Sequence, residues 1–195
     1  MTDGPDKSHG YEALAETFMR IRNRRIGPAV IREWCRTLPP GATVLDLGCG
    51  FGVITEVLVG AEFRVFAVDA SAAMIRALRE RFPEVEAECA AAEESAFFGR
   101  QFDGIVAWGL LFLLPAETQE IVIQKSAGAL QPGGRFVFTA PREAQRWKDA
   151  MTEEESVSLG RDKYLDLLAG GGLTVVDERE DEGENHYYFC VKQAP

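Results

Sequence analysis

The chain has 195 residues, 46% of them hydrophobic, a length that suits one domain with a sizeable core. Its net charge of −10 argues against unassisted binding to nucleic acid, whose phosphates need Lys and Arg. It holds no apolar run of about 18 residues that would span a membrane, and its four cysteines and two histidines form no zinc pattern. The opening MTDGPDKSHG carries no apolar signal core, so a cytoplasmic protein with reduced thiols is expected.

Residues 1–9 are polar and read as a loose segment, His9 included. From Gly10 the spacing turns helical: Tyr11, Leu14, Ala15 and Phe18 share one face, followed by Ile21. A second helical stretch runs from Ile26 to Leu38, and Pro39-Pro40-Gly41 ends it. Ala42 to Leu47 then reads as a buried parallel strand. Three glycines on alternate positions follow, Gly48, Gly50 and Gly52, and behind them Val53, Ile54, Val57 and Leu58 recur at helical spacing. Strand, glycine turn and helix together let a ligand approach main-chain atoms. Glycine turns tightly and leaves no side chain in the way, and the helix start offers free N–H groups. The dinucleotide spacing G-x-G-x-x-G is not met, because the third glycine comes one residue early and Val53 stands in its place. Asp46 at the strand end would also repel a pyrophosphate; it suits a ligand with an ammonium group and no phosphate.

The second strand, Phe63 to Val68, ends in Asp69, where a carboxylate can accept hydrogen bonds from both ribose hydroxyls. Ser71 suits the N-cap of the next helix, which Phe82-Pro83 ends, and Val85 to Cys89 is a third strand. The fourth, Phe102 to Ala107, leads into an apolar rim from Trp108 to Leu114. That rim reads as a turn packed on the sheet or as an apolar wall beside a substrate. Pro115 suits the first turn of a helix that runs through Leu130 until Pro132-Gly133-Gly134, and Arg135 to Ala140 is a fifth strand. Residues 141–160 are polar and read as irregular. A helix from Asp162 to Ala169 precedes two closing strands, Leu173 to Arg179 and Asn185 to Lys192. The alternation predicts a doubly wound α/β fold, with a parallel sheet between helix layers and a terminal antiparallel hairpin.

Four of these features, in order and spacing, resemble the motifs of class I S-adenosylmethionine-dependent methyltransferases. They are Asp46-x-Gly48-x-Gly50-x-Gly52, Asp69, Phe102-Asp103-Gly104-Ile105-Val106-Ala107-Trp108 and Leu130-Gln131-Pro132-Gly133-Gly134. The resemblance covers residues 42–141 by motif and the rest more loosely. It implies a Rossmann-like, mostly parallel seven-stranded sheet of order 3-2-1-4-5-7-6 in a single domain over residues 1–195. Residues 1–40 would form a helical cap, and 141–165 an insertion on the substrate side. The implied cofactor is S-adenosylmethionine, surrounded by Asp46, Gly48, Gly50, Asp69, Ala70, Ala107 and Trp108. Tyr11 and Arg22 would lie near its methionine carboxylate, and Met74, Ala92 and Glu93 near its adenine; Tyr11 and Met74 read also as packing residues. Ala91 stands where many relatives carry an Asp, so the backbone of Ala92 or the side chain of Glu93 would serve the adenine amino group. The Asn-Pro-Pro-Tyr motif of some groups is absent after the fourth strand, as is a histidine near Phe112.

The implied activity is methyl transfer to a small, partly apolar acceptor bounded by Phe112 and Tyr187, with no metal, no nucleic acid and no membrane. A non-catalytic cofactor-binding module is a second reading. A nicotinamide dehydrogenase is a third, opposed by the glycine spacing. Strand direction puts the Asp181 to Asn185 loop on the ligand edge, and alternation sends His186 and Tyr187 to opposite faces. His186 is therefore the candidate general base, or else a loop histidine bonded to a neighbouring carboxylate.

Overall fold

The computed structural model describes residues 6–193. Apolar residues on both faces make β1 (Thr43–Leu47) a central strand, with all but Thr43 buried. It pairs in parallel with β2 (Arg64–Asp69) on one side and β4 (Phe102–Ala107) on the other. β3 (Glu86–Cys89) extends the sheet beyond β2, and β5 (Leu130–Thr139) extends it beyond β4, both in parallel. Residues 141–160 are not irregular: they contain a separate antiparallel hairpin, β6 (Ala144–Lys148) and β7 (Glu155–Leu159). The chain closes with β8 (Leu173–Glu180) and β9 (His186–Lys192), antiparallel to each other, with β9 inserted beside β5. The order is β3-β2-β1-β4-β5-β9-β8, which is the expected one once the extra hairpin is counted.

The helices are α1 (Tyr11–Ile21), α2 (Pro28–Cys35), α3 (Val53–Gly60), α4 (Ala72–Arg81), α5 (Ala116–Ala129) and α6 (Arg161–Gly170). Alternation along each strand divides the core. Leu45, Phe66, Phe138 and Tyr188 pack into one layer with Val122, Ile123 and Tyr164 of α5 and α6. Val44, Val65, Val106 and Tyr187 face the other, against Ile31 and Trp34 of α2 and Leu58 of α3.

The β6–β7 hairpin escaped the sequence reading because polar contacts anchor it. Gln119 of α5 donates to the Val157 carbonyl (2.8 Å), Ser158 Oγ donates to the Pro141 carbonyl (2.7 Å), and Trp147 lies against Phe112. The expectation of a loose segment over 1–9 is also corrected where it can be seen; residues 1–5 lie outside the described residues. The Asp6 carboxylate accepts from the N–H groups of Ser8 (2.8 Å) and Gly10 (3.0 Å), and Ser8 Oγ accepts from the Glu12 N–H (2.8 Å). Asp6 to Gly10 is thus a built turn leading into α1.

Candidate active site

The floor of the site is the turn between β1 and α3. Gly48, Gly50 and Gly52 all have left-handed backbone, with φ of 68°, 53° and 92°. The reasons for glycine differ. A Cβ on Gly48 would lie 2.9 Å from Leu110, and one on Gly52 would lie 2.7 Å from the Phe82 ring. A Cβ on Gly50 would meet nothing within 4 Å, because that position faces an open cleft. Next to it, the Asp69 carboxylate accepts from the backbone N–H of Gly50 and of Ser71, each at 2.8 Å. Both oxygens keep a free lone pair. Burial pushes the Asp69 pKa up, against the lowering effect of these two bonds. Asp46, at the end of β1, is 1% exposed and accepts from Thr55 Oγ1 at 2.7 Å. Burial pushes it up to about 7; the Thr55 bond opposes this and the Asp69 charge adds to it.

The walls come from four segments. Ser71 Oγ caps α4 by accepting from Met74 N–H at 3.1 Å, which sets Met74 on one side of the cleft. Ala92 and Glu93 lie on a connection pinned from α5: the Lys125 ammonium donates to the carbonyls of Ala92 (3.2 Å), Glu93 (2.7 Å) and Ser95 (2.6 Å). Trp108 follows β4. Its Nε1–H donates to the Tyr187 hydroxyl (2.7 Å), which donates to Asp181 (2.7 Å). The indole packs on bare Gly27, where a Cβ would come within 2.6 Å. The Arg22 guanidinium lies 4.4 Å above the ring, an arrangement that attracts a cation to the indole face. Its donors have no acceptor among the described residues, and burial pulls its pKa down.

The roof is α1 with the turn before it. Glu12 accepts from Ser71 Oγ (2.5 Å) and from the Ala73 N–H (3.0 Å), setting a negative charge at the start of α4. Phe18 lies edge-on to both Phe51 and Tyr11. The Lys7 ammonium reaches Glu93 at 3.0 Å, and the Tyr11 hydroxyl donates to Asp149 at 3.2 Å. Asp149 lies between β6 and β7; its other oxygen accepts from the N–H groups of Met151 and Thr152, both at 2.9 Å. These bonds, with that from Tyr11, hold its carboxyl below the usual range in spite of burial. Floor, walls and roof enclose about 290 Å³.

Tyr11, Arg22, Asp46, Gly48, Gly50, Asp69, Ala70, Met74, Ala92, Glu93, Trp108 and Phe112 all line this cleft. Three expected residues do not. Ala107 is buried within β4, in the layer packed on α5. Tyr187 is fully buried beneath Trp108 and orients that ring. His186 is corrected too: strand alternation turns it toward Tyr188, and its Nε2 lies 3.0 Å from Glu178, which Arg161 also binds. The geometry assigns His186 to a carboxylate network and not to the cleft. Conversely, the cleft is lined by Lys7, His9, Asp149 and Asn185, which the sequence reading left out of the site. Among the described residues, no group of three or more His, Cys, Asp or Glu could hold a metal ion, and no helix is long and apolar enough to cross a membrane.

The chain is similar to known proteins. A family described as Methyltransferase domain matches residues 44–134, from β1 into β5. The cypemycin N-terminal methyltransferase of a Streptomyces species is 35% identical over 169 residues, covering 82% of this chain and 68% of that protein. The trans-aconitate 2-methyltransferase of Paracidovorax citrulli is 33% identical over 178 residues, covering 78% and 65%. The chain thus spans about two thirds of the length of these relatives. Among solved structures, the CcbJ methyltransferase of Streptomyces caelestis superposes with a TM-score of 0.77 at 16% identity, covering 98% of this chain and 100% of that one. Magnesium protoporphyrin IX methyltransferase from Synechocystis, solved with bound S-adenosylmethionine, gives 0.75 at 14% identity, covering 99% and 100%. A methyltransferase domain on a Rossmann-like sheet is therefore the class. The chain belongs to the class I S-adenosylmethionine-dependent methyltransferases, and S-adenosylmethionine is its methyl donor.

Proposed function

We propose that the cleft aligns S-adenosylmethionine for methyl transfer to a small-molecule acceptor lying against Trp108 and Phe112. The observation that carries the reading is Asp69: a carboxylate fixed by two backbone donors, with free lone pairs, beside a glycine whose missing side chain leaves the cleft open. In this reading Asp69 accepts the ribose hydroxyls and Asp46 faces the ammonium group. Arg22, with uncommitted donors, takes the carboxylate, and Tyr11 lies beside it. Met74, Ala92 and Glu93 flank the adenine. When bound, the cofactor supplies a methyl group already activated by positive sulfur. The task left to the protein is alignment and exclusion of water, and alignment can contribute roughly 7–11 kcal/mol.

Residues 1–40 then act as the cap, and 141–165 as the acceptor-side insertion, since the Tyr11–Asp149 bond joins the two over the cleft. The net charge of −10 supports a small acceptor over nucleic acid. The free cysteines support a reducing, cytoplasmic setting. Calorimetric titration with S-adenosylhomocysteine tests the reading. Asp69→Ala should weaken binding by about 1.5–3 kcal/mol, the range for hydrogen bonds to a charged group, and NADH should give no heat with the unaltered protein. Equal affinity of the variant would remove Asp69 from the site.

A further inference from the structure

One end of the cleft holds chemistry that the cofactor reading does not use. The turn from Asp6 to Gly10 places His9 in the cleft lining with a left-handed backbone, φ 55°, a conformation in which histidine is enriched among non-glycine residues. Its Nε2 is buried and has no hydrogen-bond partner among the described residues. Such an orphan in a tightly bonded turn is a mark of function more than of packing. Opposite, from the β6–β7 hairpin, Asp149 lines the same cleft as a fixed carboxylate, oriented by Tyr11 and two backbone donors.

We infer that the methyl acceptor is a primary or secondary amine, held as an ammonium by Asp149 and deprotonated by His9 before it attacks. The inference rests on the reading of the cleft as the S-adenosylmethionine site. An ammonium ion has no lone pair, so a base must take one proton before nitrogen can react; His9 Nε2 takes it and keeps it as an imidazolium until product leaves and the cleft opens to water. The neutral nitrogen then bonds to the methyl carbon while the sulfur–carbon bond breaks with its electrons left on sulfur. Positive charge thereby moves from sulfur to nitrogen, and no further proton has to leave. Asp149 faces the nitrogen as that charge develops, where a fixed carboxylate counts most. A carboxylate acceptor would meet the Asp149 charge instead. On the proposed reading Arg22 is taken by the cofactor's own carboxylate, and Lys7 is already paired with Glu93.

The proton balance agrees with this role. Burial lowers the His9 pKa, so its ring is neutral and able to accept a proton near neutral pH. Carboxylates oppose that shift from two directions: Asp149 most strongly, then Glu154, both from the hairpin, and Asp6 from its own turn.

Three probes with one aromatic body decide the headgroup: phenethylamine, 2-phenylethanol and 3-phenylpropionate. They are titrated into protein saturated with S-adenosylhomocysteine. The amine should bind at least about tenfold tighter than either competitor, as expected for one charge-assisted hydrogen bond. Asp149→Asn should erase that preference while S-adenosylhomocysteine still binds. Should this variant fail to fold, the series on the unaltered protein decides alone. In nitrogen NMR, phenethylamine should shift the His9 Nε2 resonance. His9→Asn, which tolerates the left-handed backbone, should keep amine binding and lose the acid limb of the pH–rate profile, with turnover ~10²–10⁴-fold lower. Tighter binding of the carboxylate or alcohol, binding of none of the three, or a preference that survives Asp149→Asn overturns the amine assignment. An unmoved His9 resonance with phenethylamine bound overturns the base. Failure of S-adenosylhomocysteine itself to bind overturns the cofactor reading beneath both.

Discussion

The floor and the roof of the cleft are built on opposite terms. The floor is local: the β1–α3 turn and Asp69 lie 19 residues apart at their joining bond, and that bond is carboxylate to backbone. The roof is long-range: Tyr11 meets Asp149 across 138 residues, and Lys7 meets Glu93 across 86, through side chains alone. A floor of backbone groups has one geometry wherever the strand, the glycines and the acid occur in sequence. A roof of side chains forms only where those particular residues meet. On the proposed reading the floor holds the cofactor and the roof chooses the acceptor.

The strongest test of this division is a side chain placed on the floor. Gly50→Val puts a β-branched residue at φ 53° and into the open cleft. S-adenosylhomocysteine binding should fall below calorimetric detection, while the left-handed backbone lowers stability by only ~1–2 kcal/mol, read from a thermal melt. Normal binding would make the glycine turn structural and leave the floor without its role.

Next in size is Arg22, which follows α1 and stands over the Trp108 ring. Arg22→Ala should cost about 1.5–3 kcal/mol of S-adenosylhomocysteine affinity, measured by calorimetry. Arg22→Lys should recover part of it, since an ammonium keeps the charge but lacks the planar fork. If affinity is unchanged in Arg22→Ala, the carboxylate lies elsewhere.

Asp46 gives the floor a pH signature. Burial raises its folded pKa to about 7, so it is protonated in the free protein below that pH. A ligand ammonium favours the ionised form, so binding expels the proton. Affinity should therefore rise with pH up to about 7 and level off above, and titrations at pH 6 in buffers of different ionisation heat should show proton release that vanishes at pH 8. The folded protein holds this proton more tightly than the unfolded chain. The same group therefore makes stability fall as pH rises from the ordinary carboxylate range to 7. Proton release that does not vary with pH would place the charge on another group.

The smallest effect sharpens the boundary between roof and wall. Glu12→Gln removes the charge at the start of α4, worth about 0.3–1 kcal/mol for such a helix-terminus pair. Hydrogen exchange in α1 should quicken while that of β1 does not change. The bond from Ser71 depresses the Glu12 pKa, so this contribution is present above the ordinary carboxylate pKa and fades as pH falls through the lower folded value. Equal quickening in β1 would show that roof and floor open together.

These two regions also mark what the sequence could reveal. The strand positions, the glycine turn and the acid at Asp69 were legible because apolar periodicity and main-chain chemistry are written locally, and the strand order followed from the family resemblance. Even Phe102–Ala107 was bounded to the residue. His9 was read as part of a loose tail because nothing in a polar run of nine residues shows that Asp6 and Ser8 will tie it into a turn. Asp149 was hidden in a segment without hydrophobic alternation, since β6 is exposed along most of its length and pairs through its backbone. His186 misled for a related reason. Its place at the start of the last strand was right, and so was the alternative of a neighbouring carboxylate; only the fold shows that this is Glu178, eight residues earlier and 3.0 Å from its Nε2.

The Lys7–Glu93 bridge bears on time more than on affinity. On the proposed reading the Asp6–Gly10 turn lies over the ligand, so opening of that bridge and of the Tyr11–Asp149 bond would help to set the rate at which spent cofactor leaves. Lys7 is 45% exposed, and added salt screens a pair of that kind. Departure should quicken as ionic strength rises, while a reaction sealed in a dry interior proceeds at its own rate. The enzyme would then run faster in salt up to the concentration at which the roof no longer closes.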